Sequence, residues 1–198
     1  MPVMLSTPPT QAASTDPPHK LWTREECAVL ESTGLLDPQR YELIEGELIQ
    51  KVPKNMPHMR SAMLLLEWLV ELFGIRYVVP EPSIDVTPED TPSSEPEPDV
   101  IVLTQPFLEL SSKPRPQDIR LLVEVSVSSL GFDLTTKAAL YARAGIPDYW
   151  VVDVRGRRML VHRDPVEGRY RSIVAYSEDE NVAPLAAPHA QKRVGDFF

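Results

Sequence analysis

Asp99 stands in Glu97-Pro98-Asp99-Val100-Ile101-Val102-Leu103, at the mouth of an apolar run. Glu124 lies inside Ile119-Arg120-Leu121-Leu122-Val123-Glu124-Val125-Ser126, a strand-like hydrophobic stretch. A carboxylate flanked by Leu and Val is costly to bury unless a cation or hydrogen bonds compensate it. The two acids are 25 positions apart, room for two strands and a connection, so they can meet if those strands are neighbours. Lys137 follows on a helix-like segment, where Asp133, Lys137 and Tyr141 recur at i, i+4 and i+8 and share one face. Two carboxylates suit a hard divalent cation, and the backbone carbonyl of Val125 is a candidate third ligand. Mg²⁺ keeps several waters, so a small ligand set suffices. A lysine nearby could orient or deprotonate a water, or stabilise pentacovalent charge; the base role requires burial to lower its pKa. The chemistry implied is metal-assisted attack of water on a phosphodiester. The competing reading is an i, i+4 ion pair between Asp133 and Lys137 on a solvated face, or Asp133 as a helix cap.

The elements that must position these groups follow from pattern. Thr23-Arg24-Glu25-Glu26 predicts a capping box and a helix to about Ser32, stopped at Gly34. Residues 41–50 predict a hairpin with Glu45-Gly46 at its turn. Pro57 opens a second helix, with Met59, Ala62, Met63, Leu66, Leu69, Val70 and Phe73 at helical spacing and the methionines read as core filling. Strands are expected at 76–79, 83–86, 99–103 and 119–127, with proline-rich loops over 87–98 and 105–117. A helix over 133–144 precedes a hairpin of 148–154 with 159–163, and 170–175 adds a strand. The sum is a mixed α/β (α+β) domain, a central sheet with helices against it.

The 198 residues predict one domain over 21–198, preceded by a disordered tail over 1–20 rich in Pro, Ser, Thr and Gln. The lone cysteine, Cys27, cannot form an intrachain disulfide and fits a reducing cytoplasm. No apolar run reaches the ~20 residues of a membrane span, and no signal peptide is apparent. A net charge of −9 counts against indiscriminate polyanion binding, since phosphate affinity comes largely from Lys and Arg. Two basic clusters, Lys113/Arg115/Arg120 and Arg155/Arg157/Arg158, read either as a positive face or as solvated turns. The four histidines lack zinc-like spacing, and neither a glycine-rich phosphate loop nor a nucleophile elbow occurs.

Tyr-Glu-Leu-Ile-Glu-Gly-Glu-Leu at 41–48, followed by His58 at a helix start, resembles the N-terminal half of the Uma-type restriction endonuclease-like family. Pro98-Asp99-Val100, Leu122-Val123-Glu124-Val125-Ser126, and the series Asp133, Lys137, Tyr141 and Gly145 to Asp153 resemble its second half. The resemblance covers about residues 22–198 and leads to the PD-(D/E)XK nuclease superfamily. It implies a mixed sheet flanked by helices, Mg²⁺- or Mn²⁺-dependent cutting of DNA, and a homodimer. It also implies Asp99 and Glu124 as metal ligands and Lys137 as the catalytic lysine. The superfamily lysine usually stands two residues after the glutamate; here that position is Ser126, so the lysine has moved to Lys137. Glu47 and His58 are additional candidates, with Tyr141 in support. One departure is Val127, where the family often has proline. Two rivals remain: a catalytically inactive module of the same fold that binds nucleic acid or a protein partner, and a structural protein with a buried Glu124–Lys137 ion pair.

Overall fold

The protein is described by a computed structural model over residues 19–198. All but the last two residues of the expected tail lie outside this range. Thr23 forms the expected capping box: its hydroxyl accepts the Glu26 N–H at 3.2 Å, and the Glu26 carboxylate accepts the Thr23 N–H at 3.0 Å. Helix α1 (Arg24–Ser32) follows. Strands β1 (Tyr41–Ile44) and β2 (Glu47–Gln50) form the expected hairpin as a separate two-stranded sheet. Its turn puts Glu45 at φ 51° and Gly46 at φ 83°, the left-handed pair that suits the twist of a two-residue hairpin.

Helix α2 (Met56–Phe73) starts where Asn55 Oδ1 accepts the His58 N–H at 3.1 Å, with Pro57 harmless in the first turn. Its fully buried row is Ser61, Leu65 and Leu69. Met59 and Met63, expected as core filling, are instead exposed at 48% and 62%. The helix is apolar over a wide arc, and spacing alone does not say which edge of that arc meets the sheet.

The main sheet has six strands in the order β3 (Val78–Pro80), β4 (Val100–Leu103), β5 (Ile119–Ser126), β6 (Asp148–Asp153), β7 (Arg158–Val166) and β8 (Arg169–Ser177). Only β5 and β6, at its centre, run parallel. A parallel pair needs a crossover, supplied here by α3 (Leu130–Phe132), a π-helical turn (Asp133–Lys137) and α4 (Ala138–Arg143). One sheet face packs Val100, Val102, Leu121, Val123 and Trp150 against Leu65 and Leu69 of α2. The other packs Ile101, Leu122, Tyr149 and Val151 against Ala138, Tyr141 and Ala142 of α4. This is the α+β architecture expected, helices against a mixed sheet. Two short strands, β9 (Asn181–Val182) and β10 (Lys192–Arg193), were not expected; the turn after them sends Val194 and Phe197 into the α2-side core.

Residues 83–86 are not a strand. They are extended, with Ile84 and Val86 buried, but their amides go to the Pro96 and Pro114 carbonyls at 3.1 and 2.9 Å. Prolines at 80, 82, 96, 98 and 114 have no N–H to return, so no ladder forms here.

Candidate active site

Strand parity decides which side chains can meet. Asp99 shares the parity of Ile101 and Leu103, and Glu124 that of Leu122, all on the α4 face. Val100 pairs with Val123, so the two acids come level where β4 begins. Asp99 Oδ2 accepts the Val125 N–H at 2.7 Å, which anchors it to the neighbouring strand. Its Oδ1 lies 3.3 Å from Lys54 Nζ and 3.3 Å from His58 Nε2, so Asp99 gathers groups from the approach to α2. Burial alone would raise its pKa, but His58, the Val125 N–H and Lys54 outweigh it and hold the carboxyl below its usual range.

Glu124 sits on the central strand, and its Oε1 accepts from Lys137 Nζ at 3.0 Å and from the Tyr141 hydroxyl at 2.8 Å. Lys137 Nζ is equally close to Glu42 Oε1, 3.0 Å away on β1. Lys137 and Tyr141 thus face Glu124 as the helical spacing predicts. The π turn that carries Asp133 and Lys137 is a local widening of a kind often found at functional sites. The Tyr149 hydroxyl donates to the Asp133 carbonyl at 2.9 Å within that turn. Asp133 is buried and accepts from the Ser129 hydroxyl at 2.6 Å, which in turn meets the Ser126 hydroxyl at 3.2 Å. The strand position two after Glu124 therefore holds a hydroxyl chain rather than a lysine.

Charge dominates this cluster. Burial raises the Glu124 pKa well above its usual value; Lys137 opposes this, while Asp133, Asp99 and Glu42 add to it. Burial would lower the Lys137 pKa, but Glu124, Glu42 and Asp133 outweigh it, and the net shift is upward. Both directions hold together because several acids surround one buried lysine. That direction is the reverse of the lowering a lysine base needs. Tyr141 is likewise pushed well up, by burial and then by Glu124.

Glu42, His58, Asp99, Glu124, Val125 and Lys137 line a cleft of about 770 Å³, and Tyr141 is fully buried outside that lining. Glu47 is not there. It opens β2 opposite Ile44, exposed beside the hairpin turn, and the acid the hairpin does deliver is Glu42. Lys54 is the other contributor not singled out from sequence; it follows Pro53 in a stretch with no periodic pattern.

Among the described residues, no three His, Cys, Asp or Glu side chains are placed together so as to hold a metal ion. The donor chemistry does fit a hard ion that keeps its waters. Six carboxylates (Glu42, Glu81, Glu97, Asp99, Glu124, Asp133) line the cleft with three lysines (Lys51, Lys54, Lys137), Arg40 and the His58 imidazole. Glu124 Oε2 has no hydrogen-bond donor among the described residues and is not sealed from the cleft.

No helix among the described residues is long and apolar enough to cross a membrane. No curated protein matches the sequence. The structure is similar to the crystal structure of a "putative nuclease belonging to DUF820" from Anabaena variabilis ATCC 29413, at 16% identity and a TM-score of 0.65. That match covers 85% of this chain and 95% of the other, and at such identity it speaks to fold alone. A family model matches residues 25–193, nearly the whole described chain, and the protein belongs to that family, Uma2, described as "Putative restriction endonuclease".

Proposed function

We propose that this protein is a divalent-metal-dependent endonuclease that hydrolyses phosphodiester bonds of DNA, using Mg²⁺ or Mn²⁺. One observation carries the proposal. Glu124, on the central strand, gives one oxygen to Lys137 and Tyr141 and leaves the other without a donor in a cleft that Asp99 shares. Asp99 and Glu124 would hold the ion, with the Val125 carbonyl as a third oxygen. When bound, the ion would supply charge neutralisation and Lewis-acid polarisation of the phosphoryl group.

The chain's own residues have separable tasks. In hydrolysis, a water releases a proton to solvent as its oxygen bonds to phosphorus, one P–O ester bond breaks, and the departing oxygen takes up a proton from solvent. Negative charge grows on the phosphoryl oxygens as this happens. Lys137, held protonated by Glu124 and Glu42, is a fixed cation for that charge rather than an acceptor of the water's proton. Tyr141 fixes the Glu124 carboxylate, and His58 with Lys54 fixes Asp99. The basic clusters noted in the sequence are largely spent on acids: Lys113 on Glu95, Arg115 on Asp118, Arg157 on Glu178 and Arg158 on Asp153. The homodimer that the family resemblance implies is part of this reading, and sedimentation measures it.

Incubation of a supercoiled plasmid with the protein and Mg²⁺ tests the function. Wild type should nick or linearise it, and folded Asp99→Asn should not. Cutting by Asp99→Asn at the wild-type rate, or none by wild type with either ion, would refute the proposal. A non-catalytic DNA-binding module is the second reading, favoured by the Glu42–Lys137–Glu124 group being complete as an ion pair without metal. It predicts DNA retention with no cleavage under either ion.

A further inference from the structure

Among the described residues, each lysine that lines the cleft is already matched by a carboxylate. Lys51 Nζ lies 2.6 Å from Glu97, Lys54 Nζ 2.6 Å from Glu81, and Lys137 Nζ 3.0 Å from Glu42 and Glu124. Arg40 lines the same cleft, and it differs. It is exposed, and among the described residues its guanidinium meets neither a carboxylate nor a carbonyl.

The hairpin sets where Arg40 stands. Its carbonyl accepts the Lys51 N–H at 2.8 Å, which extends the β1/β2 ladder one pair beyond Tyr41 and Gln50. Arg40 is the last residue of the turn that leads into β1, two positions ahead of Glu42 and no more than ~7 Å from it along the backbone, and both line the cleft. Glu42 is the residue whose carboxylate meets Lys137 at the buried end of the cleft. The entry to the hairpin thus carries an acid at the reacting centre and, two residues before it, an exposed and uncommitted cation. That spacing is on the scale of one nucleotide along a strand.

We infer that Arg40 is a substrate-binding residue that takes a non-reacting backbone phosphate of DNA, next to the phosphodiester being cut. The inference rests on the nuclease reading above and adds to it the residue that admits the strand. A chain of net charge −9 with an acidic cleft repels a polyanion, so entry needs a cation not already neutralised. The lysines would have to give up carboxylate partners first. A guanidinium presents a planar fork matched to two phosphate oxygens, and that of Arg40 breaks no ion pair to bind.

The test is fluorescence anisotropy of a labelled DNA duplex, with Ca²⁺ replacing Mg²⁺, over about 50–200 mM salt. Wild type, Arg40→Gln and Arg40→Lys are compared with Arg169→Gln, which removes the same charge from an exposed residue outside the cleft. Arg40→Gln should weaken binding about tenfold for any DNA sequence and make the salt slope shallower by about 1, the signature of one lost phosphate contact. Arg40→Lys should recover part of the affinity, and Arg169→Gln should match wild type. In Mg²⁺ turnover, Arg40→Gln should raise KM and leave kcat nearly unchanged. Binding and KM equal to wild type, or losses equal to those of Arg169→Gln, would overturn the Arg40 assignment and leave the nuclease reading standing. Failure of wild type to bind or cut DNA would overturn both.

Discussion

At the scale of single residues, the site is a problem of compensation. Glu124 tolerates a position between Val123 and Val125 because Lys137 and Tyr141 both reach its Oε1. Removing one partner of a buried pair strands the other charge, so Lys137→Met should cost about 3–5 kcal/mol in urea unfolding. Tyr141→Phe removes one donor to a buried carboxylate and should cost about 1–3 kcal/mol, without the charge imbalance. A loss from Lys137→Met no larger than that from Tyr141→Phe would contradict the arrangement. The acids Asp99 and Glu124 stood out in the sequence because one opens an apolar run and the other interrupts one. Glu42 was not: it is one of three hairpin glutamates, and nothing local says which of Glu42, Glu45 and Glu47 is covered by another element. Glu47 was the one singled out; opposite Ile44 it shares the face of Glu42, but it stands at the turn end, where it is exposed.

At the scale of elements, two local devices bring the groups together: the hairpin that presents Glu42 and the π turn that presents Lys137. The hairpin turn depends on Gly46, whose φ of 83° disfavours any side chain and whose added Cβ would lie 2.7 Å from Leu21 Cβ. Gly46→Ala should therefore destabilise the protein by at least about 1 kcal/mol in thermal or urea melts. A stabilised Gly46→Ala would show that the turn is not built as described. Turn chemistry and caps were readable in advance, since Glu45-Gly46, Thr23 with Glu26, and Pro57 act through their nearest neighbours. The π turn was not, because 3.6-residue periodicity cannot register one added residue per turn. Residues 83–86 were read correctly as extended and wrongly as a strand, because a ladder needs donors and the neighbouring segments are proline-rich.

At the scale of the whole molecule, proton and metal linkage report on the buried titratable groups. His162 is buried against Tyr149 and Tyr170, and burial lowers its pKa from 6.5 against the pull of the Tyr149 and Leu160 carbonyls. The unfolded chain then takes up a proton that the folded chain refuses. Stability should fall as pH drops below about 6.5, level off below the depressed folded value, and lose that part of its slope in His162→Phe. An acid limb identical in His162→Phe would contradict the assignment. At Glu124 the sign is opposite, since its raised pKa lets the folded state protonate first; a proton there also competes with any cation. The net charge of −9 counted against DNA in the sequence, and the cleft's excess of carboxylates is what makes an ion necessary to the proposed site. Mn²⁺ calorimetry on wild type, Asp99→Asn and Glu124→Gln at neutral pH measures that necessity most directly. The proposed site predicts saturable binding to wild type, weakening as pH falls through the raised Glu124 pKa and abolished in both folded variants. No binding by wild type, or binding undiminished in the variants, would contradict it.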